Sequence, residues 1–172
     1  MRIFQRIIIT LGLLSLVSGC YTGITGRVID AGTQQPIEGA VVLAQWTKTH
    51  GFGEYYHTVY KIEETETDKD GDFSIAGAYS LFVDEPMLVI YKRGYVAWRN
   101  DLLFPDFSKR TDYGIWKNDY EYKLVRFKEE YSRDQHHMFM EHGIIGSDYN
   151  KTPKYSDASS YELREALKEL KK

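Results

Sequence analysis

The chain has 172 residues but only one cysteine, Cys20. A single cysteine excludes an internal disulfide framework and any zinc site that needs several thiolates. The formal charge of −3 provides no basic field for binding phosphates, so we expect no nucleic-acid partner. The sequence also has no Gly-x-Ser-x-Gly nucleophile elbow and no Walker phosphate loop. Its 42% of hydrophobic residues is nevertheless enough for a folded domain of ordinary size.

The first twenty residues have the composition of an export signal. Arg2 and Arg6 precede an apolar run over residues 7–17. As a helix this run is about 16 Å long, whereas the hydrocarbon core of a bilayer is about 30 Å thick. The run is therefore too short to remain as a membrane span, and its composition predicts a cleaved signal.

The apolar run ends in residues 16–20, with the sequence LVSGC. This segment resembles the lipobox of bacterial lipoproteins, in which a peptidase cuts before the cysteine. The resemblance implies a signal peptide over residues 1–19, cleavage between Gly19 and Cys20, and acylation of Cys20. A conventional signal peptide that ends near a cysteine is the alternative, but an exported protein with one exposed thiol would be prone to unwanted pairing.

The resemblance to lipoproteins also implies a location. Stable anchoring to a membrane needs at least two attachment signals, and two or three acyl chains on Cys20, such as palmitate, provide them. The membrane is then a partner only through the lipid anchor, and the folded chain lies in water. Tyr21 follows the cysteine in place of an aspartate, which by analogy with enterobacterial lipoproteins implies the outer membrane, facing the periplasm or the cell surface.

Residues 22–126 have the pattern of a small β-sandwich. Short segments of alternating apolar and polar residues are separated by turn signals, and about seven strands are predicted. The continuous apolar run 87–92 predicts a central strand, whereas the charged segment 58–67 predicts an edge strand. Trp46 and Trp98 are expected in the core, as most large aromatic residues of a sandwich are. The predicted fold class is therefore mainly β.

Three motifs in this region occur in a recognisable order. They are GRVID with QPIEGAVV over residues 26–42, TDKDGDFSI over residues 67–75 and VIYKRGY over residues 89–95. The ordered set resembles carboxypeptidase regulatory-like domains. The resemblance implies a transthyretin-like, or prealbumin-like, sandwich over residues 20–126. It also implies roles that are mostly non-catalytic: accessory, folding or carbohydrate-contacting functions beside enzymes, receptors and secretion machinery. The connection 100–118 is not part of that module.

After the sandwich, residues 127–172 are predicted to form a helical C-terminal extension. A weak apolar pattern indicates a helix over residues 129–142. Ser159 and Glu162 have the spacing of a capping box, which predicts the start of a terminal helix. The apolar residues that follow at helical spacing are Leu163, Ala166, Leu167 and Leu170. This stripe is expected to pack on the sandwich or on a partner.

An aspartate-rich segment resembles the first half of a calcium-binding loop. Asp68, Asp70 and Asp72 have the required alternation, but Tyr79 occupies loop position 12, where calcium needs a bidentate carboxylate. An Asp-Gly pair between two strands is also a standard hairpin signal. We therefore predict a turn without a metal.

Three neighbouring histidines also suggest a metal. His137 and His142 are five residues apart rather than the four that helical ligand pairs need, and the adjacent His136 and His137 point in different directions. We therefore expect the three histidines on a solvated helix face. No metal, no cofactor and no catalytic residues are predicted for this chain.

These features predict a non-catalytic, lipid-anchored binding or assembly module of the bacterial cell envelope, with an envelope protein as its partner. Loops 49–57 and 100–118, or the terminal stripe, are the predicted contact surfaces, because loops often carry function. The alternative is a carbohydrate-contacting module, whose glycan would stack on aromatic side chains. The four candidates in predicted loops are Tyr55, Tyr56, Tyr113 and Trp116. An envelope hydrolase is the least favoured function, since the sequence has no hydrolase motif.

Overall fold

The computed structural model describes residues 23–51, 54–78, 80, 82–112, 119–145 and 151–171. Within these residues the chain is mainly β, with nine strands and two helices. In chain order the elements are β1 (Ile24–Asp30), β2 (Val41–His50), β3 (Tyr56–Glu66), β4 (Asp72–Ile75), β5 (Met87–Tyr91), β6 (Trp98–Arg99), β7 (Leu102–Leu103), β8 (Ser108–Lys109), β9 (Tyr120–Leu124), α1 (Arg133–Glu141) and α2 (Pro153–Glu169).

Seven of the described strands form two facing sheets, which confirms the predicted sandwich. The three-stranded sheet has the order β4-β1-β9, in which β1 runs antiparallel to β4 and parallel to β9. The four-stranded sheet is antiparallel, with the order β3-β2-β5-β6. The predicted edge strand is β3, and the predicted central strand is β5, which lies between β2 and β6. The strands β7 and β8 form a separate hairpin within the long connection.

Alternating side chains of both sheets form the main hydrophobic core. Val42 and Trp46 point inward from β2, and Ile24 and Val28 meet them from β1 in the opposite sheet. Trp46 and Trp98 are both buried in this core, which confirms their predicted positions. Because apolar burial is the main favourable term in folding, this cluster holds the two sheets together.

A second apolar cluster lies on the outer face of the four-stranded sheet. The side chains of Leu43 and Val89 point away from the sandwich core and are nevertheless almost fully buried. Phe139 of α1 and Tyr155 of α2 pack against this face. The two helices therefore form a third layer. This layer explains the continuous apolar sequence of β5, because that strand is covered on both faces.

The direction of β1 defines two ends of the sandwich. At the proximal end, where β1 begins at Ile24, lies the tip of the β2–β3 hairpin. At the distal end, where β1 ends at Asp30, lie the turns that follow β3 and β5. The helix α2 lies towards the distal end, since the ring of Tyr161 stacks at 3.9 Å against Arg93 in the turn after β5.

The β2–β3 hairpin is longer than the sequence predicts. Residues 49–57 are expected to form a loop or hairpin tip; the segment is a hairpin tip, but β2 continues to His50 and β3 begins at Tyr56. The pairing of β2 with its other neighbour, β5, ends much earlier, at Gln45 and Met87. The last part of the hairpin therefore projects beyond the four-stranded sheet at the proximal end.

The helix α2 begins well before the predicted capping box. The prediction of a start at Ser159 is wrong, because Pro153 is the first helical residue and both Ser159 and Glu162 are buried within the helix. The physical reason is a cap from another element. The carboxylate of Glu64, on β3, accepts hydrogen bonds of 3.1 and 2.9 Å from two amides in the first turn of α2. These amides lack partners within the helix, and a carboxylate there also suits the helix dipole.

Gly26 of β1 has no room for a side chain. A Cβ atom at this position would overlap the ring of Tyr122 and lie 2.7 Å from the carbonyl oxygen of Tyr120. We expect Gly26→Ala to lower the free energy of unfolding by about 1–3 kcal/mol, because β9 must shift to admit the methyl group. Urea unfolding followed by circular dichroism measures the change. Ser74→Ala, on the exposed face of β4, is the control, and equal losses in the two variants would contradict this close packing.

Candidate functional site

A buried carboxylate joins the two helices to the sheet. Glu162 of α2 has no exposed surface, and donors from three other positions surround it. The hydroxyl of Tyr91, on β5, donates a hydrogen bond of 2.6 Å to one carboxylate oxygen. Arg133, at the start of α1, donates to both oxygens at 3.0 Å, and Nδ1 of His136 lies 3.1 Å from Oε2. We call Tyr91, Arg133, His136 and Glu162 the docking cluster.

The position of the ring proton of His136 follows from its neighbours. The backbone amide of Ala97 donates a hydrogen bond of 2.8 Å to Nε2, so this nitrogen carries no proton. The ring proton is then on Nδ1, beside Oε2 of Glu162, although the approach lies outside ideal hydrogen-bond geometry. Both ring nitrogens of His136 therefore face groups of the protein itself.

The expectation of a solvated helix face is wrong for His136, which is fully buried. It shares one side of α1 with Phe139 and Met140, and this side faces the four-stranded sheet. The i, i+3, i+4 spacing of these three residues is the sequence signal that could have revealed it. His142 is exposed, as expected, and His137 is half-buried, with Nε2 at 3.2 Å from the hydroxyl of Ser159.

Two members of the docking cluster, Glu162 and Tyr91, have shifted pKa values. Burial raises the pKa of Glu162, but its interactions with His136, Tyr91 and Arg133 outweigh burial and lower the pKa to about 2. Burial, together with the hydrogen bond to Glu162, raises the pKa of Tyr91 above its ordinary value. Glu162 is therefore ionised and Tyr91 is a neutral donor. These states suit a cluster that fixes the helices rather than one that exchanges protons with a substrate.

A second buried ion fixes the end of α1. The guanidinium of Arg99, on β6, is fully buried and donates to the backbone carbonyls of Phe139 at 2.7 Å and His142 at 2.5 Å. Carbonyls at the end of a helix lack hydrogen-bond donors within the helix, and the guanidinium of Arg99 supplies these donors. Asp101 balances the charge at 2.8 Å. Sequence reasoning missed this contact, because nothing local distinguishes Arg99 from a surface arginine.

A surface depression with a volume of about 560 Å³ lies between α2 and the turn after β5. Three cations that line it already have partners: Lys92 donates to two backbone carbonyls, Lys154 pairs with Glu66, and Arg93 stacks on Tyr161. The depression is therefore a groove of mixed charge whose cations are already engaged.

The tip of the β2–β3 hairpin carries the predicted aromatic contacts that the structure describes. Tyr55 is 73% exposed and Tyr56 is 60% exposed. The ring of Tyr56 stacks on His50 with a centroid distance of 5.2 Å. The other predicted site residues lie outside the described part of the chain: Tyr113, Trp116, Gly19 and Cys20. The structure thus brings two of the four candidate aromatic residues together at one exposed tip.

The aspartate-rich segment forms the predicted turn. Oδ1 of Asp68 accepts hydrogen bonds from the amides of Asp70 and Asp72, each at 2.9 Å. Gly71 has a φ of +77°, a left-handed value that favours glycine. Across the residues that the structure describes, no group of three or more His, Cys, Asp or Glu side chains is placed to hold a metal ion. Within the same residues, no helix has the length and apolarity needed to cross a membrane.

No protein-family model matches the chain, and no curated protein matches it. Among solved structures, the C-terminal domain of the shaft pilin spaA from Lactobacillus rhamnosus GG is similar at 16% identity, with coverage of 61% of this chain and 97% of that one and a TM-score of 0.33. A 9R-lipoxygenase from Cyanothece is similar at 14% identity, with coverage of 60% of this chain and 16% of that one and a TM-score of 0.31. At these scores neither likeness supports a function.

Protonation of Glu162 is expected to weaken the docking cluster. Its pKa is about 2 in the folded protein and ordinarily 4.5, so its contribution to stability is fully present above about pH 5 and is lost as the pH falls towards 2. This contribution is on the order of 3 kcal/mol. We expect Glu162→Gln to destabilise the protein at pH 7 and to flatten the pH–stability curve below pH 5. Thermal unfolding between pH 2 and 7 measures both effects.

A matched control separates this cluster from other carboxylates. Asp157→Asn removes an exposed acid from the same helix, and its stability should depend on pH below pH 5 as steeply as that of the parent protein. Asp30, whose pKa is also about 2, contributes to the slope equally in all three proteins. A parent-like slope in the Glu162→Gln variant would show that the docking cluster does not carry the acid sensitivity.

Proposed function

We propose that this chain is a non-catalytic module of a bacterial cell envelope, anchored by lipid on Cys20 and presenting α2 to an envelope protein. The observation that carries this proposal is a row of exposed leucines on α2. Leu163, Leu167 and Leu170, which we call the leucine row, are 42%, 49% and 77% exposed and follow at helical spacing. Contiguous exposed apolar residues on a helix are typical of surfaces that seat in a partner's groove.

The placement of the leucine row supports presentation to a partner. The helix α2 lies towards the distal end, whereas the chain from Cys20 enters β1 at Ile24 on the proximal end. The row is therefore on the side of the module away from the proposed anchor. A tether of this kind raises the effective concentration of the row near other envelope proteins.

The distribution of polar groups supports a non-catalytic role. An active site needs groups of shifted pKa that a substrate can reach. Here Glu162 and Tyr91 have strongly shifted pKa values, but both are buried and bonded to each other. Their contacts secure α2 on the sheet, which is a structural use of the same chemistry.

The lipid anchor is tested at its proposed attachment position. We expect Cys20→Ala to abolish incorporation of an alkyne-labelled palmitate and to leave residues 1–19 on the protein, because both acylation and cleavage require the cysteine. Metabolic labelling and intact-mass spectrometry measure these outcomes. Ser18→Ala keeps a small residue before the cleavage position and should behave as the parent. A parent protein that begins at Met1, or that carries a bare Cys20 thiol, would contradict the anchor.

The leucine row is tested by crosslinking in cells. A photo-crosslinking amino acid at Leu167 is expected to give a discrete adduct with an envelope protein, whereas the same group at Lys69, in an exposed turn, should not. Replacing Leu163 and Leu170 by serine should weaken that adduct several-fold without unfolding the protein, because both side chains are exposed. Deleting the helices is a poorer test, since it uncovers the apolar outer face of the sheet. An adduct that survives the double substitution would count against the row.

A further inference from the structure

The chain between the proposed anchor and the fold is short. Three residues, 21–23, separate Cys20 from Ile24, the first residue of β1. Four Cα–Cα steps of about 3.8 Å reach at most about 15 Å. A lipid on Cys20 therefore holds the proximal end of the sandwich close to the bilayer surface, whatever path those residues take.

The β2–β3 hairpin projects from the same end by a similar distance. Nζ of Lys61 donates to two carbonyls immediately after β4 ends opposite Ile24, so Lys61 marks the level at which β1 begins. Between the Trp46–Lys61 pair and the His50–Tyr56 pair, β2 advances four residues. At about 3.4 Å per residue, this part of the hairpin is about 14 Å long. The length of the hairpin thus matches the greatest distance from the sandwich that Cys20 can reach.

Among the described residues at this end, three aromatic side chains are more than half exposed, and we call them the aromatic tip: Tyr55, Tyr56 and Phe82, which are 73%, 60% and 87% exposed. Phe82 belongs to the loop before β5, and Asp84 holds that loop against the hairpin. The amide of Asp84 donates to the carbonyl of Thr47, and its carboxylate accepts from the Thr47 hydroxyl at 3.0 Å. Phe82 also has a φ of +68°, which is uncommon for a residue with a side chain. The proximal end therefore presents a concentration of aromatic surface to its surroundings.

We propose that the aromatic tip inserts into the interfacial region of the bilayer to which Cys20 anchors the chain. Aromatic side chains are favoured at this depth, tyrosine in particular because its ring is apolar and its hydroxyl is polar. The charged residues near the tip include both signs, as Lys48 and Asp84 illustrate, so attraction to anionic headgroups is not required. This inference rests on the proposed lipid anchor, which sets the distance. Insertion adds a second attachment point and orients the leucine row away from the bilayer.

The single cysteine makes a direct test possible. Once Cys20 is acylated, a cysteine introduced elsewhere is the only free thiol. Spin labels are attached to the Tyr55→Cys and Phe82→Cys variants of the purified mature lipoprotein in phosphatidylcholine vesicles. Lys69→Cys, in the exposed turn at the distal end, is the matched control. Power-saturation electron paramagnetic resonance then compares collisions of each label with oxygen, which concentrates in lipid, and with a water-soluble nickel chelate.

We expect the labels at Tyr55 and Phe82 to have a several-fold lower ratio of nickel to oxygen collisions than the label at Lys69, with no change when anionic lipid is added. A Tyr55 label as accessible to nickel as the Lys69 label, on protein whose Cys20 acyl chains are verified by mass spectrometry, overturns the inference and leaves the anchor standing. Absence of acyl chains on Cys20 overturns both. A third result would assign the tip to carbohydrate instead. In that case both labels are accessible to nickel, the protein binds a glycan, and Tyr56→Ala abolishes the glycan binding.

Discussion

The orientation of α2 depends on one buried carboxylate. Burial of Tyr155, Ala158 and Ala166 turns one side of α2 towards the sheet, but apolar burial is non-directional and does not by itself fix the exact rotation of the helix about its axis. Glu162 sets it, because an ion without solvent needs the donors that Tyr91 and Arg133 provide. With Glu162 turned to the sheet, the next side chain, Leu163, points about 100° away around the helix. The interaction that seats α2 therefore also leaves the leucine row in solvent.

Buried ions add specificity to the packing of the helices on the sheet more than they add stability. Apolar residues of similar volume are often as stabilising as a buried ion pair, because the ions must first lose their water. Glu162 and Arg99 each require particular partners. Glu162 accepts hydrogen bonds from Tyr91 on β5 and Arg133 on α1, and Arg99 donates to the final carbonyls of α1. A helix that slid to another apolar seat would leave one of these charges unpaired. We infer that the third layer has one arrangement for this reason.

The strands were predictable from sequence because their information is local. Alternation marks β1, charge marks the edge strand β3, and a doubly buried apolar run marks β5. The start of α2 was not predictable from the sequence, because its cap comes from Glu64, which lies 90 residues before the Lys154 amide that it bonds. The contact of Arg99 with the end of α1 is equally non-local, whereas the helical spacing of His136, Phe139 and Met140 is a local signal present in the sequence. Tyr55 and Tyr56 lie in a predicted loop, but the exposure of Phe82 depends on contacts between distant segments.

The height of the leucine row above the bilayer decides what can cover it. A helix with exposed leucines beside Lys168 and Lys171 also resembles one that lies on a membrane surface. The hairpin tip, however, stands about 14 Å below the level of Ile24, and from Ile24 to Asp30 β1 advances six residues, or about 20 Å, towards the distal end. With the tip at the interface, the distal end of β1 is about 35 Å from the lipid, and Tyr161, just before the leucine row, lies towards that end. The proposed insertion of the tip thus places the leucine row out of reach of the lipid, which supports our proposal that a protein covers it.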